Sequence, residues 1–220
     1  MERIAIAIDG PSAAGKSTIA KLIAKQLNYA YIDTGAMYRC VAYYVKTNGI
    51  DIQNEDLITS ILTNIHIHID QNNNVFLNDQ NVSGLIRSDE ISMMTSKVSS
   101  YQAVRTFLVE QQRLMALSGG VILDGRDIGT VVLPNAQLKI YQQASVKTRA
   151  MRRYKENLER GMEADLEAIT KDIEQRDYQD MNRAISPLKK AEDAIEIDTS
   201  TMSLQEVVDE IMNLVKKVGL

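Results

Sequence analysis

Ile4-Ala5-Ile6-Ala7-Ile8-Asp9-Gly10-Pro11-Ser12-Ala13-Ala14-Gly15-Lys16-Ser17-Thr18 is the stretch that decides how this 220-residue chain is read. Its second half fits the Gly-x-x-x-x-Gly-Lys-[Ser/Thr] phosphate loop. Its first half is an apolar, Ile-rich run of strand length. Beyond it, Ile19-Ala20-Lys21-Leu22-Ile23-Ala24-Lys25-Gln26-Leu27 repeats apolar residues at helical spacing. Strand, glycine loop and helix together make the motif chemical. The loop Gly10, Pro11, Ser12, Ala13, Ala14 and Gly15 can turn backbone N–H groups onto a phosphate, and the helix N-terminus adds partial positive charge. Lys16 can then reach the β- and γ-phosphates, the Ser17 hydroxyl can ligate Mg²⁺, and Thr18 completes the motif. The pattern implies a bound nucleoside triphosphate.

Working outward, strand-like and helix-like segments alternate, the signature of an α/β fold with a parallel sheet and covering helices. Further strands are expected at Ala30-Tyr31-Ile32, Val121-Ile122-Leu123, Leu138-Lys139-Ile140-Tyr141 and Ala194-Ile195-Glu196-Ile197, about five in all. A helix should run from Ala36 to about Asn48. Ser203, with Glu206 three residues on, reads as the capping box of a closing helix. In such sheets ligands sit outside the carboxyl ends of the strands, which gathers the phosphate loop, Asp33, Asp124, Arg126 and Asp127 at one edge.

Two regions break the alternation. From about Thr63 to Val82, Ile65-His66-Ile67-His68-Ile69, a turn at Asn72-Asn73-Asn74 and Val75-Phe76-Leu77 read as a small antiparallel insertion. From Ser145 to Asn182 the chain is long, charged and helical, interrupted near Gly161, a pattern that suits a mobile lid. The expected organisation is one domain over 1–220 with an insertion at about 63–103 and a lid at about 149–165.

Composition narrows the function classes. A 45% hydrophobic content supports a real core, and a net charge of −4 argues against a general nucleic-acid surface. Phosphate recognition must therefore come from local clusters. Arg39 lies one turn past a strand end and Arg126 at another. Arg176, Asp180 and Arg183 are spaced to share a helix face, as are Arg149, Arg153 and Arg160, with Arg152 beside them. A single cysteine, Cys40, permits no internal disulfide. With no signal peptide and no membrane-length apolar run, a cytoplasmic chain without membrane partners is expected. No heptad or exposed apolar stripe points to an obligate dimer, so a monomer is expected. His66 and His68 lack a third ligand at zinc spacing and read as surface or packing residues.

The runs Gly10 to Thr18, Asp33-Thr34-Gly35-Ala36-Met37-Tyr38-Arg39, Asp124-Gly125-Arg126-Asp127-Ile128-Gly129-Thr130-Val131-Val132, and Arg176-Asp177 with Asp180-Met181-Asn182-Arg183-Ala184 together resemble bacterial-type cytidylate kinases, members of the nucleoside monophosphate kinases. The resemblance runs from Arg3 to the C-terminal helix, and the β-like insertion is part of it. It implies transfer of the γ-phosphate of ATP, with Mg²⁺, to CMP or dCMP. It further implies that Asp127 accepts from the cytosine N4 amino group while Arg105 and Ser96 serve the acceptor edge. Arg39 and Arg126 would hold the acceptor phosphate, with Thr34 and Tyr38 beside the base. Arg176 and Asp180 would reach the sugar hydroxyls and Arg183 the nucleotide. Arg149 and Arg153 would close over the transferring group, giving a catalytic set of Lys16, Arg126, Arg149 and Arg153. For Mg²⁺, Ser17 is joined by Asp33 and Asp124, either of which could instead fix local backbone. Where relatives commonly carry Gly and Ser, this chain carries Ala13 and Thr34.

Other phosphate-loop classes fit less well. Leu117-Ser118-Gly119-Gly120 matches the signature of ABC transporter ATPases, yet it runs directly into Val121-Ile122-Leu123, and Gly125 stands where those motors carry a catalytic Glu. The stretch reads as a helix end turning into a strand. A GTPase switch would carry Asn-Lys-x-Asp, which is missing from the sequence. Against another monophosphate kinase, for AMP or UMP, stand the Asp127, Arg105 and Ser96 set and the β-like insertion.

Overall fold

The structure, a computed structural model, describes residues 3–159 and 161–218. In chain order the regular elements are β1 (Ala5–Asp9), α1 (Lys16–Leu27), β2 (Ala30–Asp33), α2 (Thr34–Thr47), α3 (Glu55–Ile61), β3 (Ile67–Ile69), β4 (Val75–Leu77), β5 (Gln80–Asn81), α4 (Asp89–Val98), α5 (Gln102–Ala116), β6 (Val121–Gly125), β7 (Leu138–Gln143), α6 (Val146–Glu159), α7 (Leu166–Asn182), β8 (Ile195–Asp198) and α8 (Leu204–Lys217). The five expected parallel strands form one sheet in the order β2-β6-β1-β7-β8. Contacts divide the chain into two compact units, one formed by the residues up to Tyr29 together with those from Gly119 onward, the other by Ala30–Ser118.

In the first unit β1 is central, pairing in parallel with β6 on one side and β7 on the other. Ile6, Ala7 and Ile8 are all fully buried, because a strand covered on both faces is apolar at every position rather than at alternate ones. The register sets Asp9 level with Gly125 and Tyr141, so the phosphate loop leaves the sheet beside the carboxyl ends of β6 and β7. Helix α8 packs on α1 through Val207, Val208, Ile211, Leu214 and Val215, a stripe at helical spacing. Its start carries the capping box: the Glu206 amide donates to Ser203 Oγ at 3.3 Å and the Ser203 amide to Glu206 Oε2 at 2.7 Å.

The turn into β6 settles the Leu117-Ser118-Gly119-Gly120 stretch. Helix α5 ends at Ala116, and Gly119 and Gly120 follow with φ of 62° and 63°. A Cβ on Gly119 would lie 2.5 Å from the Arg3 carbonyl oxygen, while the Gly120 amide donates to the Ile4 carbonyl at 3.0 Å. These glycines close a turn against β1; they do not open a helix.

The Ala30–Ser118 unit holds the antiparallel sheet β3-β4-β5 and the helices α2 to α5. The first strand of that sheet is shorter than its alternation suggests. Its Ile65-His66 portion is instead pinned by side chains and turns: the His66 amide donates to Asn78 Oδ1 at 2.8 Å and the Ile65 amide to the Leu62 carbonyl at 3.1 Å. Ile65 and Ile67 are buried while His66 and His68 face outward, with His68 lying 6.0 Å from the Phe76 ring. Among the described residues no helix is long and apolar enough to cross a membrane.

Candidate active site

The phosphate loop is shaped by what lies beneath it. A Cβ on Gly10 would fall 1.9 Å from the Gln142 carbonyl oxygen of β7, so only glycine lets the chain leave β1 there. Gln142 Nε2 donates to the Ala14 carbonyl at 2.6 Å and holds the loop from the same strand. Gly15, at φ 92°, precedes α1 without a side-chain cap, so the first amides of the helix are suited to an anion. Ala13 adopts φ 57°, a left-handed conformation that L-residues enter at a cost. Lys16 is buried, and its Nζ donates to the Pro11 carbonyl at 2.8 Å. Burial, and next the charge of Arg126, push its ammonium down to about 7. Ser17 Oγ donates to Asp124 Oδ2 at 2.7 Å, so a hydroxyl from α1 and a carboxylate from the end of β6 sit together. Two such oxygens suit a hard divalent cation that takes its other ligands from phosphates and water.

Of the expected site residues, Arg126, Asp127, Arg176, Asp180 and Arg183 lie in the unit that carries the phosphate loop. Arg126 Nε pairs with Asp180 Oδ2 at 2.7 Å, across 54 positions of sequence. Arg183 reaches Asp180 Oδ1 at 3.7 Å and Asp127 Oδ1 at 3.9 Å, and its Nε donates to the Ser186 carbonyl at 2.6 Å. Burial alone would raise the Asp180 carboxyl, but Arg126, Arg183 and Arg176 outweigh it and hold it below the usual range. Arg176 pairs loosely with Asp172 at 3.9 Å, and burial, Arg126 and Arg153 all lower its pKa. Arg153 lies 3.9 Å from Glu156 and stays partly exposed. Lys16, Arg126, Arg153 and Arg176 thus raise the positive potential in one another's surroundings, an arrangement that favours anions.

Arg149 sits differently from Arg153. Its side chain is only 5% exposed, and the guanidinium meets the Ala144 carbonyl at 2.8 Å, the Ser12 carbonyl at 3.1 Å and Asp177 Oδ2 at 2.6 Å. Arg152 donates to the carbonyls of Ala14 at 3.2 Å and Thr199 at 2.7 Å. The start of α6 is therefore bolted to the phosphate loop. Arg160, expected on the face shared by Arg149 and Arg153, lies outside the described residues.

The Ala30–Ser118 unit carries the remaining candidates. Asp33 caps α2, its Oδ1 accepting from the Ala36 amide at 2.9 Å, and its Oδ2 lies 3.5 Å from Arg87. Both oxygens of this expected cation ligand thus have local partners. Thr34 and Tyr38 are buried along α2. Arg39 donates to Ser92 Oγ at 2.9 Å and the Ile86 carbonyl at 3.3 Å. Arg105 of α5 is 2% exposed; it donates to the Ser99 carbonyl at 3.1 Å and stands 5.4 Å above the Tyr38 ring. Ser96 is half-buried on α4.

Sequence reasoning missed Asp9, Ser92, Gln142 and the bolting role of Arg152. Asp9 is buried, its Oδ1 accepting from the Ile128 amide at 2.8 Å and its Oδ2 from the Gly129 amide at 2.7 Å. Burial pushes its carboxyl up to about 6, against the pull of those two amides. A carboxylate at the end of an otherwise apolar strand was the one available signal.

The cytidylate kinase family matches residues 6–217. A cytidylate kinase of Geobacillus sp. (strain WCH70) is 51% identical over 217 residues, covering 97% of each chain. One from Listeria welshimeri is 50% identical over 218 residues, covering 98% of this chain and 97% of its own. Among solved structures, the shikimate kinase of Bacteroides thetaiotaomicron superposes with a TM-score of 0.50 at 12% identity, covering 98% of this chain and 99% of its own, a likeness of fold alone.

Proposed function

The chain belongs to the cytidylate kinase family, and on that premise we propose that it transfers the γ-phosphoryl group of ATP to CMP or dCMP, giving ADP and CDP or dCDP. What carries the reading is the match over nearly the whole chain, joined to a phosphate loop backed by a cluster of arginines. Phosphoryl transfer is mostly positioning and charge neutralisation, and the residues divide along those lines. The loop amides and Lys16 hold the donor phosphates. Arg126, with Arg39, binds the acceptor phosphate, and Arg153 adds positive charge where the phosphoryl group moves. The acceptor oxygen belongs to a phosphate whose second pKa is about 6, so no catalytic base is required near neutral pH. Ser17 and Asp124 are the residues that would hold Mg²⁺, which would supply charge neutralisation on the phosphates when bound.

Base choice follows from hydrogen-bond chemistry. Cytosine presents an N4 amino donor beside N3 and O2 acceptors. Asp127 supplies the acceptor for N4, while Arg105 and Ser96 supply donors. UMP would set a carbonyl oxygen against the Asp127 carboxylate, and such mismatches can cost orders of magnitude in kcat/KM. Asp180 and Arg176 take the sugar hydroxyls and Arg183 the nucleotide. The helical pair α6–α7 acts as a lid whose moving part lies beyond Arg152, since Arg149 and Arg152 tie its base to the loop. We place the enzyme in the cytoplasm as a monomer. A coupled assay of ADP release with CMP, dCMP, UMP and AMP tests the reading. CMP and dCMP should exceed the others by at least tenfold in kcat/KM, and turnover without acceptor preference would refute it.

A further inference from the structure

The base-reading carboxylate sits on a short loop, and that loop is held from two sides. Asp127 is followed by a single wide helical turn, Ile128–Val132. The Asp127 carbonyl accepts from the Val131 amide at 2.8 Å and the Val132 amide at 3.2 Å, which fixes one edge of the Asp127–Ile128 peptide plane. The other edge, the Ile128 amide, donates to Asp9 Oδ1, and the next amide, from Gly129, donates to Asp9 Oδ2. With both edges held, the Asp127 Cα is anchored, which narrows the directions in which its side chain can project. The two bonds to Asp9 are short and charge-assisted, roughly twice as strong as neutral ones. Space is equally tight: a Cβ on Gly129 would stand 3.1 Å from Lys139 Cδ and 3.4 Å from Asp9 Oδ2.

We infer that Asp9 is a positioning residue for acceptor specificity: by clamping the amides of Ile128 and Gly129 it sets the angle at which Asp127 meets the base. The inference rests on the assignment of Asp127 to base reading. Hydrogen-bond readout tolerates little misplacement, so loosening the clamp weakens discrimination before it weakens binding of the donor. An asparagine at position 9 keeps the size but offers one acceptor and one NH₂ group, which would face an amide donor.

The test measures kcat and KM for CMP, UMP and ATP in the full chain and in Asp9→Asn, Asp127→Ala and the double variant. The CMP:UMP ratio of kcat/KM should fall at least tenfold in Asp9→Asn, with KM for ATP within about threefold of the parent. The double variant should discriminate no worse than Asp127→Ala alone, because both changes remove one interaction. A collapsed ratio in Asp127→Ala beside an unchanged ratio in Asp9→Asn would overturn the inference and leave base reading by Asp127 intact. An unchanged ratio in Asp127→Ala would instead remove Asp127 from base reading, and this inference with it. Because Asp9 adjoins Gly10, a shift in KM for ATP alone would assign it to the phosphate loop and also overturn the inference. Should Asp9→Asn fail to fold, Gly129→Ala crowds the same clamp from the opposite side and is held to the same two outcomes.

Discussion

Replacing Arg149 by methionine separates two roles for a residue that the family resemblance places over the transferring phosphoryl group. Methionine keeps much of the apolar stem and removes the guanidinium. The immediate casualty is Asp177, 12% exposed, whose Oδ2 lies 2.6 Å from Arg149 Nη2 and whose Oδ1 has no hydrogen-bond partner among the described residues. Breaking one side of such a buried pair costs about 3–5 kcal/mol, because a desolvated charge is left behind. The carbonyls of Ala144 and Ser12 lose a donor as well. For a chain of this length each kcal/mol is worth about 2–4 °C, so Arg149→Met should lower Tm by roughly 6–20 °C. Thermal and urea unfolding followed by circular dichroism give the measurement. Adding Asp177→Leu should restore much of the loss, since an apolar pair of similar volume is often as stable as the ions it replaces. A variant with parental unfolding midpoints and a kcat lowered more than a hundredfold would refute the bolt and restore Arg149 to the reacting group.

Three further changes probe the loop and its neighbours. Ala13→Gly should stabilise the protein by about 1 kcal/mol in urea unfolding, because alanine pays to hold φ 57°; an unchanged or lower midpoint would contradict that strain. Asp124→Asn should raise the Mg²⁺ concentration needed for half-maximal activity about tenfold or more at fixed ATP, and an unshifted Mg²⁺ titration would exclude it as a partner of Ser17. Asp9 gives a pH signature. Its folded-state carboxyl is raised to about 6, so its contribution to stability is full at low pH and is lost as pH climbs through 6. Lys16 and Asp127 are the charged groups that face it, Lys16 opposing the rise and Asp127 adding to it. Asp9→Asn lacks this titration, so its stability relative to the parent should improve by about 2 kcal/mol between pH 4.5 and 7.5. A pH-independent difference would show that Asp9 is not ionising in that range.

What the sequence made legible was local. The phosphate loop, the strand ends at Asp33 and Asp124, and the Ser203–Glu206 box each depend on residues a few positions apart, and each forms where expected. Arginine positions were legible too, but their partners were not. Arg126 meets Asp180 from 54 residues away, and Arg149 meets Ser12 from 137. Spacing on one helix shows which side chains share a face, yet not whether that face is solvated or buried. It therefore placed Arg149 and Arg153 in one class, which burial divides. Asp9 was hidden for another reason: a carboxylate at a strand end looks like a boundary marker until the amides it accepts from are known.

The carboxylates among the arginines bear on how such a cluster binds anions at all. Side chains as long as arginine carry about 2 kcal/mol of rotamer entropy, and ligands that must order several of them lose affinity accordingly. Here Asp180 holds Arg126 through its Nε edge at 2.7 Å, and the Ser186 carbonyl holds Arg183 the same way at 2.6 Å. Each guanidinium is thus oriented through one edge by the protein itself. Asp180 also offsets the mutual repulsion of Arg126 and Arg176, so the cations can stay close without one of them being driven from the cluster. A site built this way spends little on ordering when phosphates arrive. On the proposed reading, its selectivity then falls to the groups assigned to the base, and hence to how firmly the loop bearing Asp127 is held.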